Sequence, residues 1–326
     1  MKSINWGTIG CGDVTEVKSG PAFNKVNNSR LAAVMRRDAA RAKDYADRHS
    51  VPKWYTDAHH LIADPEINAV YVATPPAFHE QFTIAALRAG KPVYVEKPLA
   101  LNEAGCINIA KAAKEYNIKL SVAHYRRALP LFTKVREMLE AKIIGDIRFV
   151  NLQIWQPAES DIIVKTDSNW RVDPSLSGGG LFHDLAPHQL DLMLYYFGKV
   201  DTFSGFSANQ AGLYKADDIV SGEMRFENGV FFKGLWCFSV APPAARDNCE
   251  IVGSEGMIRF SFFGTEYSVS IKGKEEKFRV ENPPHVQQPM IAQVVKYFLG
   301  QGPNPCSAEE ATEVMRIMDR FTASAK

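Results

Sequence analysis

An acid and an imidazole lie four residues apart in the stretch 178–191, which reads GGGLFHDLAPHQLD. On a helix, Asp184 and His188 would share one face, and an imidazole can take up or release a proton near neutral pH. Two titratable groups in an apolar segment are unfavourable unless they are paired or used in chemistry. The pair therefore indicates a proton-transfer site; the structural alternative is a core histidine held by a carboxylate.

The segment that carries this pair must be a helix with an irregularity. Its apolar residues continue through 192–197 and stop at Gly198. Pro187 has no N–H, and its ring crowds the carbonyl of His183, four residues back. We therefore expect either a kink at Pro187 or a helix that restarts with Pro187 in its first turn.

Length and composition exclude several classes of protein. A chain of 326 residues is long enough for two domains. Lys+Arg number 38 and Asp+Glu 37, a net charge of +1, so neither nucleic acid nor an acidic membrane surface is indicated as a partner. The five cysteines show no CxxC spacing, which argues against a disulfide framework and a zinc site, so we expect no metal. No segment approaches the roughly 20 apolar residues of a membrane span, and we expect a soluble cytoplasmic protein.

A glycine turn follows the first predicted strand, residues 3–9, and reads GCGDVT at 10–15. The first glycine permits the tight turn, and the second lets the backbone approach a pyrophosphate that binds the amides of the following helix. Thr15 stands where a third glycine or alanine is usual. The position of the turn directly after the first strand favours dinucleotide binding. The predicted cofactor contacts here are Gly10, Gly12, Asp13 and Val14.

A second predicted strand, 31–35, ends in Arg36, Arg37 and Asp38. A carboxylate at this strand end would bind the ribose 2′-hydroxyl of NAD, whereas guanidinium groups suit the 2′-phosphate of NADP. We therefore expect NADP, and Asp38 keeps NAD possible. The structural alternative is a pair of solvated arginines that open the helix 39–48.

Two further strand ends should line the same cofactor cleft, because ligands bind beyond the carboxyl ends of parallel strands. These are the apolar run 69–74 and the strand 92–95. Helices at 80–89 and 103–116 and a strand at 119–123 complete the alternation that is typical of a doubly wound sheet. The predicted cofactor contacts at this edge are Thr74, Pro75, Pro76, His79, Glu96 and Lys97.

Two aromatic–arginine pairs in the second half are candidates for substrate binding. Tyr125 and Arg126 follow the last strand of the first half, where they could reach a substrate or form a wedge between domains. Trp170 and Arg171 lie in the long loop 157–177, and long loops are often functional. An indole against sugar C–H groups, with an arginine bonding hydroxyls, suits a polyol; Trp170 as a core residue is the alternative.

The rest of the chain predicts a helix at 131–141, a strand at 146–156 and, from 200 onward, an antiparallel meander with turns at 227–229, 254–256 and 272–274. A helix at 288–299 and a capped helix from Ser307 to about 322 close the chain. We expect an aromatic-rich strand to place one sheet face against a partner chain, with coverage by the chain's own helices as the alternative. Its apolar residues are Phe231, Phe232, Leu235, Trp236 and Phe238.

Four motifs together resemble one family: GCGDV, ATPPAFH, VEKPLALN and GGGLFHDLAPHQLD. On these motifs the chain resembles the glucose–fructose oxidoreductase, inositol dehydrogenase and rhizopine catabolism (Gfo/Idh/MocA) family over nearly its whole length. The resemblance implies an α/β fold with an N-terminal Rossmann domain and a C-terminal α/β domain built on a large open, mainly antiparallel sheet. It also implies nicotinamide-dependent redox chemistry on sugars or polyols, with Lys97, Asp184 and His188 as the catalytic set. Thr15 and Pro187 depart from the family pattern.

The resulting hypothesis is an oxidoreductase with a dinucleotide-binding domain at 1–122 and a substrate-binding domain at 123–326 that assembles a homodimer or homotetramer through its sheet. Hydride would pass between the nicotinamide and a secondary alcohol or ketone of a carbohydrate-like molecule. His188 would take the hydroxyl proton, Lys97 would stabilise the alkoxide, and Asp184 would orient the pair. A desolvated Lys97 could be the base instead. Lys97 and His188 must then meet across the cofactor cleft.

Two functions of other classes would use the same fold. A sugar hydrolase or lyase could oxidise its substrate transiently with a tightly held nicotinamide. A non-catalytic sensor would bind dinucleotide without turnover, but such a protein is expected to lose the lysine that Lys97 provides here.

Overall fold

The computed structural model describes residues 2–160, 162 and 169–323. Contacts divide the chain into two compact units, Met1–Arg126 with Pro283–Met315 and Arg127–Asn282 with Arg316–Lys326. This grouping adds a segment from near the end of the chain to the first unit, which a single boundary at 122/123 does not include. The predicted domains, 1–122 and 123–326, stay a prediction.

The regular elements within the described residues alternate between helix and strand in the first third of the chain and are rich in strands after residue 200. The strands are β1 (Ile4–Ile9), β2 (Ser29–Met35), β3 (Lys53–Tyr55), β4 (Ala69–Val72), β5 (Val93–Val95), β6 (Leu120–Val122), β7 (Ile147–Trp155), β8 (Val200–Ala208), β9 (Ile219–Phe226), β10 (Phe231–Cys237), β11 (Arg246–Gly253), β12 (Gly256–Phe260), β13 (Glu266–Ile271) and β14 (Lys274–Arg279). The helices are α1 (Asp13–Val17), α2 (Gly20–Phe23), α3 (Ala39–Arg48), α4 (Ala58–Ala63), α5 (His79–Arg88), α6 (Glu103–Glu115), α7 (Pro130–Glu140), α8 (Pro174–Ser177), α9 (Gly180–Phe197), α10 (Gln288–Phe298) and α11 (Ala308–Thr322). Short 3-10 segments lie at Pro76–Phe78, Tyr125–Ala128, Trp170–Val172 and Pro242–Ala244.

The sheet of the first unit contains six strands in the order β3-β2-β1-β4-β5-β6, and every neighbouring pair is parallel. Strands β4 and β5 are buried along their whole length, as expected where helices cover both faces of a parallel sheet. The strand order reverses between β1 and β4, and ligands of such sheets bind outside the carboxyl ends at this point. The prediction of a doubly wound Rossmann sheet is confirmed.

Several helices begin where the sequence predicts because their caps are local. The backbone amide of Arg41 donates to the Asp38 carboxylate at 3.0 Å, which caps α3. At α11, the Ser307 amide donates to Glu310 Oε2 at 2.8 Å, and the Glu310 amide donates to Ser307 Oγ at 3.2 Å. This reciprocal pair is the predicted capping box.

An aromatic cluster forms the core of the first unit. The ring of Trp6 lies 4.9 Å from Phe23 and 5.6 Å from Phe298, and the ring of Tyr71 lies 5.3 Å from Tyr94 on the neighbouring strand. All five side chains are buried, and such ring pairs add stability beyond the area they bury. The cluster therefore fixes the Tyr71 side chain, whose hydroxyl reaches the candidate site.

The second unit contains an eight-stranded sheet in the order β14-β13-β12-β11-β7-β10-β9-β8. Its neighbours are antiparallel except β7 and β10, which run parallel. The mainly antiparallel sheet is confirmed, but the expectation of a simple meander was wrong. Strand β7, which precedes the other seven in sequence, inserts between β10 and β11 and separates two runs of hairpins.

The two faces of this sheet differ in their coverage. Trp236 is fully buried with its ring 5.1 Å from Phe182 of α9 and 6.3 Å from Phe321 of α11, and Phe232 and Phe238 are buried as well. The chain's own helices thus cover Trp236, as in the alternative interpretation. The exposed aromatic side chains of the sheet are Phe149 (45 %), Phe206 (73 %), Phe231 (58 %) and Phe278 (40 %).

Close packing of α11 on the sheet depends on Gly222. A Cβ atom at this position would overlap the ring of Phe321, so only glycine lets the helix approach β9 this closely.

Helix α9 runs from Gly180 to Phe197 without interruption and contains Pro187. The expectation of a helix that restarts at Pro187 was therefore wrong. The irregular backbone lies at the start of the helix, where Gly178 and Gly180, the first residue of α9, have φ of +95° and +76°. The helix ends before Gly198 as predicted. Within the residues that the structure describes, no helix is both long and apolar enough to cross a membrane.

Candidate active site

The glycine turn at the end of β1 packs against the end of β4 on one side and is open on the other. Gly10 has φ of +94°, and a Cβ atom there would lie 2.8 Å from the backbone nitrogen of Thr74. A Cβ atom at Gly12 would meet no atom within 4 Å. Backbone that is exposed in this way can approach a bulky anion, so the turn fits the pyrophosphate of a dinucleotide.

Thr15, which departs from the usual motif, closes the turn by hydrogen bonds. Its hydroxyl and its backbone amide both donate to the carbonyl of Gly12, at 2.7 and 2.9 Å. Tyr45 Oη donates to the Thr15 carbonyl at 2.8 Å. The turn is therefore held by a buried hydroxyl and a tyrosine rather than by a third glycine.

Asp13 and Val14 are the first residues of α1, a helix of five residues. The amides of a first helical turn have no partner inside their own helix, and a bound phosphate is the predicted partner here. The same helix is anchored by Glu16, which accepts from Arg48 at 2.8 and 2.9 Å and lies 2.8 Å from His49 Nε2. The hydrogen bonds from Arg48 lower the pKa of Glu16 to about 2.

Two arginines lie at the carboxyl end of β2. Arg36 donates to the Cys11 carbonyl of the glycine turn at 3.1 Å, and the Arg37 guanidinium lies 5.6 Å over the ring of Phe78. Asp38 is engaged as the cap of α3, and the hydrogen bond from the Arg41 amide lowers its pKa. The strand end thus presents two cations and a carboxylate that already accepts a helix amide.

The Thr74–Pro75–Pro76 turn is fixed by His79, which is fully buried. Its Nε2 lies 2.7 Å from the Thr74 carbonyl, and its Nδ1 lies 2.9 Å from the Pro98 carbonyl. Desolvation by burial lowers the pKa of His79, whereas the two carbonyl acceptors favour the charged ring. His79 therefore joins the loops after β4 and β5, and its predicted contact with a cofactor stays a prediction.

Glu96 is a buried carboxylate at the end of β5. Its Oε1 accepts from Tyr71 Oη at 2.5 Å and from Gln287 Nε2 at 2.7 Å, and its Oε2 accepts from the Lys97 amide at 3.3 Å. The Lys97–Pro98 peptide bond is cis, and the Lys97 side chain is half-buried. Glu96 therefore fixes the backbone that carries Lys97, and its predicted contact with a cofactor stays a prediction.

Tyr125 and Arg126 lie in the 3-10 segment that follows β6. Both are buried, and the Arg126 guanidinium lies 5.6 Å over the ring of Tyr125. The predicted contact of this pair with a substrate stays a prediction.

The second unit brings Trp170, Arg171 and Asp184 together. Arg171 Nε donates to Asp184 Oδ2 at 3.2 Å, and the Arg171 guanidinium lies 4.5 Å over the indole of Trp170. Both members of the ion pair are largely buried. Asp184 therefore has an arginine partner, which the sequence did not indicate, and the three residues form one cluster of a ring, a cation and an anion.

His188 lies one turn after Asp184 on α9 and is buried, at 5 % exposure. His183, on another face of the same helix, packs so closely on Gly179 that a Cβ atom there would overlap the imidazole. Desolvation lowers the pKa of His183 to about 4. His183 is thus a neutral core residue near neutral pH, which leaves His188 as the candidate base of this helix.

Two domain families match the chain. Residues 4–124 match the oxidoreductase family with an NAD-binding Rossmann fold, and residues 132–259 match the GFO/IDH/MocA C-terminal domain. Oxidoreductase P35 of Formosa agariphila is 49 % identical over 98 % of both chains. The chain belongs to the Gfo/Idh/MocA oxidoreductase family. The resemblance in its four motifs is confirmed, as is its assignment to the dehydrogenases and reductases.

More distant Gfo/Idh/MocA relatives agree with this assignment. The trans-1,2-dihydrobenzene-1,2-diol dehydrogenase of Xenopus laevis is 29 % identical over 80 % of this chain and 75 % of the relative. A solved structure of levoglucosan dehydrogenase in complex with NADH and levoglucosan has a TM-score of 0.87 and 22 % identity, covering 98 % of this chain and 96 % of that one. At this identity the structural likeness shows that the fold is shared.

One ion pair near the site of this Gfo/Idh/MocA protein was not predicted. Arg127 Nη2 donates to Asp191 Oδ1 at 2.8 Å, and the side chains are 4 % and 1 % exposed. The Arg127 guanidinium also lies 4.8 Å over the ring of Tyr195. Asp191 follows His188 by three residues, so the pair ties the helix that carries the candidate base to the start of the unit. An acid within the apolar run LDLM was the available signal.

Gln287 was also missed, and no sequence signal pointed to it. It lies almost 200 positions after Glu96, and both family matches end before it. Only the folded chain brings its amide to the Glu96 carboxylate.

Proposed function

We propose that this protein is an NAD(P)-dependent dehydrogenase or reductase that transfers hydride between nicotinamide and a secondary alcohol or ketone of a sugar, a polyol or a related ring. One observation carries the proposal: the buried Glu96 carboxylate holds the Lys97 backbone at the carboxyl end of β5. In an NAD-binding fold this edge of the sheet is where ligands bind. An ammonium group there can stabilise the negative charge that develops on a substrate oxygen.

The chain's own residues must move one proton and fix the geometry, because the nicotinamide, when bound, supplies the hydride chemistry. We assign the proton to His188, because an imidazole titrates close to neutral pH. Lys97 donates a hydrogen bond to the same substrate oxygen. Lys97 is the alternative proton acceptor, because a desolvated lysine can also act as a base.

The substrate class we propose is a ring that carries neighbouring hydroxyl groups. The Xenopus laevis relative is named for a ring diol and the structural neighbour for levoglucosan, a sugar derivative. In this chain, the Arg171–Asp184 pair offers a donor and an acceptor for hydroxyls, and the Trp170 indole beside it offers a flat apolar face. Asp184, held by Arg171, would orient the reacting hydroxyl toward the base.

We propose NADP as the preferred cofactor. Arg36 bonds to the glycine turn and Arg37 lies beside it at the end of β2. Two guanidinium groups at this position suit a 2′-phosphate, whereas a carboxylate would suit the ribose 2′-hydroxyl of NAD. Asp38 supports this preference, because its carboxylate, which would bind the 2′-hydroxyl of NAD, already accepts a hydrogen bond from a helix amide.

We propose a homodimer or homotetramer that assembles through the sheet of the second unit. Phe231 and Phe149 are paired neighbours on β10 and β7, and both are exposed. Adjacent exposed aromatic rings are typical of an interface. Light scattering of the wild type and of Phe231→Lys tests this: the variant should have a lower mass, and a wild-type monomer would contradict it.

The test of the function is a panel of polyols, aldoses and keto-sugars, each mixed with NADP or NAD in both oxidation states and followed at the nicotinamide absorbance. We expect stoichiometric change of absorbance with at least one cyclic hydroxyl-bearing substrate. Consumption of substrate without net change of absorbance would favour the hydrolase or lyase, and tight dinucleotide binding without any turnover would favour the sensor. Lys97→Met serves for comparison and should give a lower rate with the same substrate.

A further inference from the structure

A short segment of the first unit, 285–287, caps the helix that begins at the glycine turn. His285 Nδ1 donates to the Val17 carbonyl at 2.7 Å, and the backbone amide of Gln287 donates to the Lys18 carbonyl at 3.2 Å. Val17 is the last residue of α1, and Lys18 is its C-cap. The last carbonyls of a helix have no partner within it, so this segment supplies donors that α1 lacks.

The side chain of the same residue reaches the loop that carries Lys97. Gln287 is fully buried, and its Nε2 donates to Glu96 Oε1 at 2.7 Å. Tyr71 donates to that same oxygen at 2.5 Å, and the Lys97 amide donates to the other oxygen, Oε2, at 3.3 Å. The amide orientation of Gln287 follows from these contacts, because the opposite orientation would place two acceptors against each other.

Two donors on Oε1 prevent the Glu96 carboxylate from rotating about its terminal bond. With Oε1 held by Gln287 and Tyr71, Oε2 stays directed at the Lys97 amide. The backbone at Lys97 sets the direction in which its side chain leaves the loop. The position of the ammonium group thus depends on a residue near the end of the chain.

We infer that Gln287 is a positioning residue for Lys97: through the Glu96 carboxylate it fixes the loop that presents the ammonium group. The expected change in catalysis rests on the proposed function, whereas the expected change in the position of the Lys97 side chain does not. Because Gln287 bonds α1 through its backbone, replacement of its side chain should change kcat and leave the KM for the dinucleotide within about twofold.

Gln287→Glu tests the inference through pH. A carboxylate replaces the amide donor and faces Glu96, and two carboxylates that share a site raise the pKa of one of them strongly. Above that pKa the two charges repel; below it, the protonated acid donates to Glu96 as the amide does. We therefore expect kcat relative to wild type to be about tenfold lower at high pH and to recover as the pH falls.

Gln287→Leu removes the donor at every pH, so its relative kcat should stay low and independent of pH. Gln288→Glu is the control, because Gln288 is half-buried at the next position. It adds the same charge without the contact to Glu96, so its kcat should equal that of wild type. If Gln287→Leu does not fold, the recovery of kcat in Gln287→Glu at low pH still tests the inference. Wild-type kcat in a folded Gln287→Glu at all pH values would overturn the inference, as would equal losses in Gln288→Glu.

A second readout separates this inference from the proposed function. Reductive methylation followed by peptide mass spectrometry gives the labelling rate of the Lys97 amine, with the exposed Lys233 as an internal reference. The Gln287 variants should change the rate at Lys97 several-fold and leave Lys233 unchanged. Unchanged labelling of Lys97 would overturn the inference; an inactive wild type with altered labelling in the variants would overturn the proposed function alone.

Discussion

Glu96 in the first unit and Asp191 in the second are both buried carboxylates, but their partners differ. Glu96 accepts hydrogen bonds from a hydroxyl, a side-chain amide and a backbone amide. Asp191 accepts from the Arg127 guanidinium, which is as deeply buried as the acid. The first unit therefore holds its candidate residues with neutral donors, and the second holds them with opposite charges.

This difference predicts different responses to substitution. Loss of one neutral donor removes a hydrogen bond, an effect of about 1–3 kcal/mol when the acceptor stays buried. Loss of one member of a buried ion pair leaves an uncompensated charge and is more severe. The same reasoning applies to Asp184, whose arginine partner is also largely buried.

The largest expected effects fall on chemistry, where one candidate from each unit can be compared. His188→Asn should lower the rate of hydride transfer by about 10²–10⁴-fold and abolish its pH dependence, because the base is lost. Lys97→Met should lower the rate while the pH dependence remains. Single-turnover absorbance measurements against pH provide the test, with the exposed His60→Asn as control. Near-normal rates in Lys97→Met would remove the lysine from the chemistry.

Stability gives the next largest effect and tests the ion pair of the second unit. Asp191→Asn should lower the free energy of unfolding by about 3–5 kcal/mol, because Arg127 stays buried without its counter-charge. Asp201→Asn, which breaks the exposed pair with Arg225, should cost less than about 1 kcal/mol. Urea unfolding of the two variants measures the difference. Equal losses would show that burial of the pair does not matter.

Two titratable groups, Glu16 in the first unit and His183 in the second, should respond to acid in different pH windows. Burial lowers the pKa of His183 to about 4. Between about pH 6.5 and pH 4 the unfolded chain therefore binds a proton at this histidine that the folded chain does not bind. The stability that the neutral His183 contributes above about pH 6.5 is lost as the pH falls toward 4. The loss should be on the order of 3 kcal/mol. Glu16, with its pKa lowered to about 2, contributes stability that is present above about 4.5 and lost only as the pH falls toward 2.

Urea unfolding at a series of pH values checks these windows. His183→Gln should reduce the loss between pH values of about 6.5 and 4, to which the buried His79 also contributes, and Glu16→Gln should leave that window unchanged. A wild-type stability that is constant across the upper window would contradict the assigned role of His183.

The smallest effect concerns the cofactor end of the first unit. Arg37→Ala should raise the KM for NADP by about tenfold, the loss of one charge-assisted hydrogen bond, and change that for NAD little. Lys43→Ala, on the exposed face of α3, is the control. Initial-rate measurements with NADP and with NAD give the two KM values. An equal rise in both KM values would mean that Arg37 does not read the 2′-phosphate, and Asp38 would become the candidate contact for NAD.

Local patterns predicted much of the first unit because its strands, glycine turn and helix caps depend on neighbouring residues. Helix α3 begins at Ala39, and α11 begins at its capping box, both as expected. The order of strands in the second sheet was not predictable in this way. Period-two patterns mark strands but carry no information on which strand becomes a neighbour, so the insertion of β7 was missed.

The candidate site follows the same division. The sequence indicated Asp184 and His188 as a pair suited to proton transfer, and the resemblance to the family added Lys97. Their catalytic roles stay a prediction. The sequence did not identify the partners of these residues. Arg171, thirteen positions before Asp184, was predicted to bind substrate, and its hydrogen bond to the acid was not predicted.

The sequence by itself determined the fold class, the family and the residue types at the candidate site, because strand ends, glycine spacing and caps are short-range features. Only the tertiary structure decided which groups donate hydrogen bonds to the buried carboxylates. Glu96 is satisfied by Gln287, and Asp191 by Arg127, across separations of 191 and 64 positions. A buried charge must find its partners wherever the chain brings donors into reach, and that proximity is a property of the packed core.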